Sequence, residues 1–300
     1  MPFAMRIVVT GSSGQLGSFF LDRTIERHEV VGLDLFPPKF APHRGVWRQG
    51  DVRDAKLIRE LLRGSDAVVH CAAQISVEES MADPLADMDV NVRGTVELLQ
   101  AAREQKVRRF VFVSSAAVYG DPIKVPIPES HPLAPLSFYG TSKVCAEQYV
   151  RTFGASLGLQ TIVVRPFNFY SKRADPTNPY SGVIARFVKW ARAGEPLLIQ
   201  GGGEQTRDFI HASDVARMVV AACESDLSGA VLNCGSGKGT TVNELASIIV
   251  RASGRASRVE HVAPRLGDIK HSVADVSVAR KSLGFKPELG LEDGLKTLFD

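Results

Sequence analysis

Arg6-Ile7-Val8-Val9-Thr10, running directly into Gly11-Ser12-Ser13-Gly14-Gln15-Leu16-Gly17, is the stretch on which the fold turns. The first five residues are β-branched and apolar enough for a short strand. After the glycines, Leu16, Phe19, Phe20 and Ile25 recur at helical spacing. A second strand, Val30-Val31-Gly32-Leu33-Asp34, ends in an acid. Strand, glycine turn, helix, strand and terminal carboxylate are the parts of a dinucleotide-binding unit. The glycines permit a tight turn and a close backbone approach to a pyrophosphate, and the helix N-terminus offers that anion unpaired N–H groups. Asp34 lies about 20 residues past the turn, where a carboxylate accepts from the adenosine ribose diol and repels a 2′-phosphate. NAD is therefore expected over NADP.

Further strands continue the alternation. Gly50-Asp51-Val52 ends a third, Ala67-Val68-Val69-His70-Cys71-Ala72-Ala73 forms a fourth, and Arg109-Phe110-Val111-Phe112-Val113 a fifth. Thr161-Ile162-Val163-Val164-Arg165 is a sixth. Helices are expected over 55–62, capped by Asp54, and over 85–105, entered through Asp83-Pro84. Strands alternating with helices predict an α/β fold: a doubly wound parallel sheet of Rossmann type with a smaller C-terminal α/β substrate domain. Residues 1–168 are expected to form the first domain, with a return over about 208–235, and 169–300 the second. His70, inside a buried strand, reads as a core residue.

Tyr139 and Lys143, four apart on a helix expected over 137–157, share one face. A phenol with a pKa near ~10 is a poor base, and a cation one turn away favours its phenolate. Alone the pattern arises by chance. Upstream, Ser114-Ser115-Ala116-Ala117-Val118-Tyr119-Gly120 sits at the C-terminal end of the fifth strand, where ligands bind in such sheets.

The 300 residues are 44% hydrophobic and 23% charged, with net charge +3. No block of like charge marks a nucleic-acid surface. Cys71, Cys145, Cys223 and Cys234 are scattered without metal-ligand spacing, and reduced thiols in a cytoplasmic protein are expected. No apolar run approaches the ~20 residues of a membrane span. The N-terminus lacks the features of a signal peptide, and Met5 is an alternative start.

The GxxGxxG spacing, the hydroxyl at Ser115 and the Tyr139–Lys143 pair together resemble the extended short-chain dehydrogenase/reductases, specifically their NAD-dependent nucleotide-sugar epimerase/dehydratase branch. The resemblance covers nearly the whole chain. It implies a catalytic Ser115, Tyr139 and Lys143. It implies cofactor contacts from Gly11, Gly14, Gln15, Leu16, Gly17, Asp34, Asp51, Val52, Ala72, Ala73, Tyr139, Lys143 and Phe167, with Asn91 supporting the lysine from behind. Substrate contacts are implied for Ser115, Asn168, Arg207, Arg265, Asp268 and Ser272. The two arginines would hold a diphosphate, to which a fork of donors is suited. Where the branch's dehydratases carry Asp-Glu after the hydroxyl residue, this chain has Ala116 and Ala117, so the groups for water elimination are missing. Where the branch often carries a polar residue, Ile75 stands.

The activity implied is 4-epimerisation of a nucleotide sugar, with NAD retained, no metal and a homodimer through a helix pair that includes the catalytic helix. Ser272 replaces a bulky Tyr of some such enzymes, which implies room for an N-acetyl group. Another nucleotide-sugar oxidoreductase, a 4-keto reductase or decarboxylase, and a non-catalytic dinucleotide sensor are the alternatives.

Overall fold

The structure, a computed structural model, describes residues 4–174, 182–264, 267 and 269–300. Six strands build the first sheet along the chain: β1 (Arg6–Thr10), β2 (Glu29–Asp34), β3 (Trp47–Gln49), β4 (Ala67–His70), β5 (Arg109–Val113) and β6 (Gln160–Pro166). Then follow β7 (Asn168–Tyr170), β8 (Leu197–Gln200), β9 (Thr206–His211), β10 (Ala230–Cys234), β11 (Gly239–Thr241), β12 (Val259–Val262) and β13 (His271–Ser272). Strand β10 returns to pair with β6, which completes a seven-stranded sheet in the order β10-β6-β5-β4-β1-β2-β3. Every pairing in it is parallel.

The helices are α1 (Gln15–Thr24), α2 (Ala55–Leu62), α3 (Val77–Ala82), α4 (Pro84–Met88), α5 (Gly94–Glu104), α6 (Phe138–Leu157), α7 (Val183–Ala193), α8 (Ala212–Glu224), α9 (Val242–Ser253), α10 (Ser277–Leu283) and α11 (Leu291–Lys296). They cover both faces of the large sheet, because alternate strand residues point to opposite sides. Ile7 and Val9 pack with α1 and α8, whereas Val8, between them, packs with residues of α2 and α5. The strands are accordingly apolar throughout rather than alternating.

The smaller part gathers around Phe187, Ile199, Phe209, Leu245 and Leu295, contributed by α7, β8, β9, α9 and α11. Its main sheet places β9 between β11 and β13, and β7 also pairs with β9.

Several local expectations shift. The helix expected over 85–105 is interrupted: α4 gives way to a π-helical turn at Asp89–Arg93 before α5 resumes. Such an extra residue per turn redirects side chains, and it recurs at functional sites. Ser213-Asp214 is expected to start a helix; α8 begins one residue earlier, at Ala212, capped by the His211 side chain. Thr241 or Asn243 is expected to start the next helix, and of the two Thr241 caps α9, in a reciprocal capping box with Glu244. Asp275 accepts from the Ser277 amide, but regular helix starts only at Ser277.

Candidate active site

The glycine turn closes because side chains are absent from it. A Cβ on Gly17 would lie 2.1 Å from the Gly11 carbonyl oxygen, and Gly11 itself has φ of +68°. Gly14 caps α1 without any side chain engaging the first-turn N–H groups. That leaves these donors for an anion, so the turn fits a dinucleotide pyrophosphate. Gln15 donates to the Ser171 hydroxyl at 3.0 Å, and Leu16 is buried. Asp34, at the end of β2, accepts from the amides of Ser13 (2.9 Å) and Phe36 (3.0 Å), which fixes its carboxylate beside the turn.

The loop after β3 carries Asp51 and Val52. Val52 is buried; Asp51 takes three bonds from Arg53 at 2.6 to 2.9 Å. The Arg53 hydrogen bond holds the Asp51 carboxyl below its ordinary value. Ala72, at the end of β4, donates its amide to the Thr10 hydroxyl, and Ala72 and Ala73 both stay partly exposed at the sheet edge. His70 is buried between the Thr10 and Thr95 hydroxyls, and burial pushes its imidazole down to about 3, so it is a neutral structural histidine.

Ser115, Tyr139 and Lys143 come together at the C-terminal end of β5. Ser115 is extended and caps the short 3₁₀ turn Ala116–Tyr119 by accepting from the Ala117 amide at 3.1 Å. Its hydroxyl is within hydrogen-bonding reach of the Tyr139 phenol. Helix α6, capped by Ser137, carries Tyr139 in its first turn, and the Tyr139 amide is tied to Ser80 of α3 at 3.0 Å. Lys143 is 3% exposed; its ammonium donates to the Val113 carbonyl at 3.0 Å and lies 4.9 Å from the Phe112 ring centroid.

The electrostatics correct the expectation of an acidified phenol. Tyr139 is half-buried by surface, yet burial raises its pKa above the ordinary value; the Ser115 bond pulls it back and the Asp87 charge pushes it further up. Lys143 is itself pushed down by burial, to about 8, against the opposing influence of Cys71, Glu147 and Asp87.

Asn91 sits within the π turn, but its bonds are not to the lysine. Its amide group donates to the Gln74 carbonyl (2.9 Å), Asp87 (3.0 Å) and Ser142 (3.1 Å), while its oxygen accepts from the Gln74 amide (2.9 Å). Ser142 in turn donates to the Tyr139 carbonyl at 2.9 Å. Asn91 therefore braces the first turn of α6 and the strand-end segment 71–74, and reaches Lys143 only through that frame.

Phe167 is buried against Tyr119, and Asn168 is exposed at the start of β7. Arg207 and Ser272 are register partners across β9 and β13, so the expected diphosphate and sugar contacts are neighbours. Arg265 and Asp268 lie outside the described residues.

Two features were missed in the sequence. Arg173 is sandwiched between the rings of Phe19 (3.9 Å) and Phe40 (4.1 Å) and pairs with Asp22 at 2.5 Å, which fastens the segment after β7 to α1. Arg165 and Glu147 form a buried ion pair at 2.6 Å, one turn of α6 past Lys143. An arginine ending an otherwise apolar strand was the available signal for the second; nothing local marked the first.

The model of the NAD dependent epimerase/dehydratase family matches residues 7–235. A UDP-glucose 4-epimerase of Mycolicibacterium smegmatis is 37% identical over 302 residues, 97% of this chain and 96% of the relative. Among solved structures, the UDP-N-acetylglucosamine 4-epimerase of Methanobrevibacter ruminantium, in complex with UDP-N-acetylmuramic acid, has a TM-score of 0.93 at 33% identity, covering 99% of this chain and 97% of that one. The Thermus thermophilus UDP-glucose 4-epimerase in complex with NAD has a TM-score of 0.89 at 32% identity, covering 99% and 98%. With its glycine turn, Asp34 and a parallel sheet matched end to end, this chain belongs to the NAD dependent epimerase/dehydratase family, with NAD as its cofactor.

Proposed function

We propose that the protein is a nucleotide-sugar 4-epimerase that inverts C4 of a UDP-hexose through a 4-keto sugar. The observation that carries this reading is the convergence of Ser115, Tyr139 and Lys143 at the end of β5, with alanines at positions 116 and 117. An enzyme eliminating water needs an acid and a base there, and methyl groups supply neither.

When bound, NAD would supply a hydride acceptor for C4 of the sugar and, reduced, the donor for its return. Gly11, Gly14, Gly17 and the N-terminus of α1 hold its pyrophosphate; Asp34 holds the adenosine ribose. Tyr139 removes the proton of the 4-hydroxyl, and Ser115 hydrogen-bonds that oxygen. Lys143, which holds the Val113 carbonyl here, would hold the nicotinamide ribose when the cofactor is bound, and its charge would support the phenolate. This assigns the lowering of the phenol pKa to the loaded site, where Lys143 and the cofactor add positive charge. Arg207, and Arg265 with it, anchors the diphosphate while the 4-keto sugar turns to present its other face. The proton then returns from Tyr139, and no net oxidation occurs.

Ser272 beside Arg207 leaves space at the sugar, so UDP-N-acetylhexosamines are also accepted. Arg265 contacts the diphosphate and Asp268 the nucleoside ribose. Incubation of the purified protein with UDP-, dTDP- and GDP-sugars, read by NMR, tests the reading. C4 inversion of UDP-glucose and UDP-N-acetylglucosamine is expected. Net formation of a reduced or decarboxylated sugar contradicts the epimerase, and conversion of UDP-galactose without UDP-N-acetylgalactosamine contradicts the role of Ser272.

A further inference from the structure

Beside the catalytic residues lies a polar chain that no step of the mechanism uses. Glu147 is one turn past Lys143 on α6 and fully buried. It accepts the Ser114 hydroxyl, and it takes the Arg165 guanidinium on both oxygens, with Nε at 2.9 and 3.2 Å and Nη2 at 2.6 Å. Arg165, 2% exposed, continues to the Tyr119 hydroxyl (2.9 Å) and the Glu129 carbonyl (3.1 Å). Tyr119 donates to Asn233 at 2.6 Å, and Asn233 donates to the carbonyls of Ile127 (2.8 Å) and Asp275 (3.2 Å). Asp275 lies three residues beyond Ser272, so the chain runs from the chemistry to the expected sugar pocket.

A buried ion pair is poor evidence of stabilisation, because apolar residues often replace one at no cost. Its geometry gives another reason for its presence. Successive turns of α6 grip successive residues of β5's end: Lys143 holds the Val113 carbonyl and Glu147 the Ser114 hydroxyl, immediately before Ser115. We propose that Glu147, braced by Arg165, is a positioning residue that sets the Ser114–Ser115 segment and the Lys143 charge relative to one another.

The groups facing Lys143 support this. They are His70 and Cys71 from the end of β4, Asp87 from α4 and Glu147 from α6 itself. Cys71, fully buried Glu147 and Asp87 oppose the burial that drives the ammonium toward neutrality, and of these Glu147 is the one tied to Ser114. The proposal rests on the assigned chemistry for its effect on rate, but not for its effect on Lys143.

The test is a titration of Lys143 in holoenzyme labelled with ¹³C at lysine Cε, the resonance assigned with Lys143→Arg. Wild type should titrate below the ordinary lysine range, because burial disfavours the charged ammonium. Glu147→Gln keeps an acceptor for Ser114 but removes the charge, and the midpoint should fall by about one pH unit. The alkaline limb of kcat should move by the same amount, cutting kcat about fivefold at the pH of the wild-type midpoint with KM unchanged. Because Glu147→Gln leaves Arg165 buried and unpaired, Glu147→Gln/Arg165→Met is measured beside it; its lower Lys143 midpoint should persist at wild-type Tm. An unshifted midpoint in both variants, with only Tm changed, overturns the proposal. Failure of the wild type to invert any sugar refutes the function proposed above, while the titration still decides this point.

Discussion

Tyr139 starts at a disadvantage as a base, since burial raises its phenol and only the Ser115 hydroxyl opposes that in this structure. Tyr139→Phe should therefore lose about 100- to 10,000-fold in kcat, the range for removing a positioned acid–base group, with substrate affinity, read by calorimetry, little changed. Retained turnover would remove Tyr139 from the chemistry. Lys143 must be charged to do its work, and burial sets it at about 8. The alkaline limb of a kcat–pH profile should follow Lys143, with activity lost as pH rises through that value, while the acid limb follows deprotonation of Tyr139. His70 runs the other way. It is buried neutral with its pKa lowered from 6.5 to about 3, so the unfolded chain binds the extra proton first. Its contribution to stability is present above 6.5 and is lost as pH falls toward about 3. Acid unfolding followed by circular dichroism should be less steep in His70→Asn.

Among the elements, the π turn at Asp89–Arg93 is the one that helical periodicity could not announce. An added residue in one turn leaves the apolar pattern on either side intact, so 85–105 reads as continuous helix. The turn matters because it aims Asn91 at the strand-end segment 71–74 and at Ser142. Asn91→Ala should leave the Gln74 amide and carbonyl without their partner and lower kcat more than it lowers Tm, measured on the same NAD-loaded sample. Equal activity per folded molecule would make Asn91 structural alone. The Asp54 cap was easier to read, because it acts on amides two or three residues away; Ser137 was read as the first residue of α6, and it is the cap. Asp54→Ala should cost about 1 kcal/mol of stability by urea unfolding, with kcat unaffected.

At the scale of the whole molecule, the seven-stranded sheet and its glycine turn were legible because local rules dictate them: strand period, turn chemistry and an acid at the end of β2. What was not legible is what long-range packing creates. Glu147 and Arg165 are 18 residues apart, and Tyr119 and Asn233 are 114 apart, so no window of sequence shows that they form one buried chain. A homodimer through α6 is a proposal to be tested on the surface beside that helix, where Met81, Leu85 and Met88 of α3 and α4 expose 53%, 71% and 51% of their surface. Leu85→Glu/Met88→Glu should convert a dimer into a monomer by light scattering, and a wild-type monomer would contradict the pairing. In the proposed reaction Tyr139 deprotonates a sugar hydroxyl while the C4 hydride leaves and returns to the other face. The most direct measurement is incubation of the holoenzyme with UDP-glucose deuterated at C4, followed by ¹H NMR. Inversion at C4 with the deuterium still on that carbon is the predicted result; an inverted product whose deuterium has exchanged with water, or no inversion at all, would contradict it.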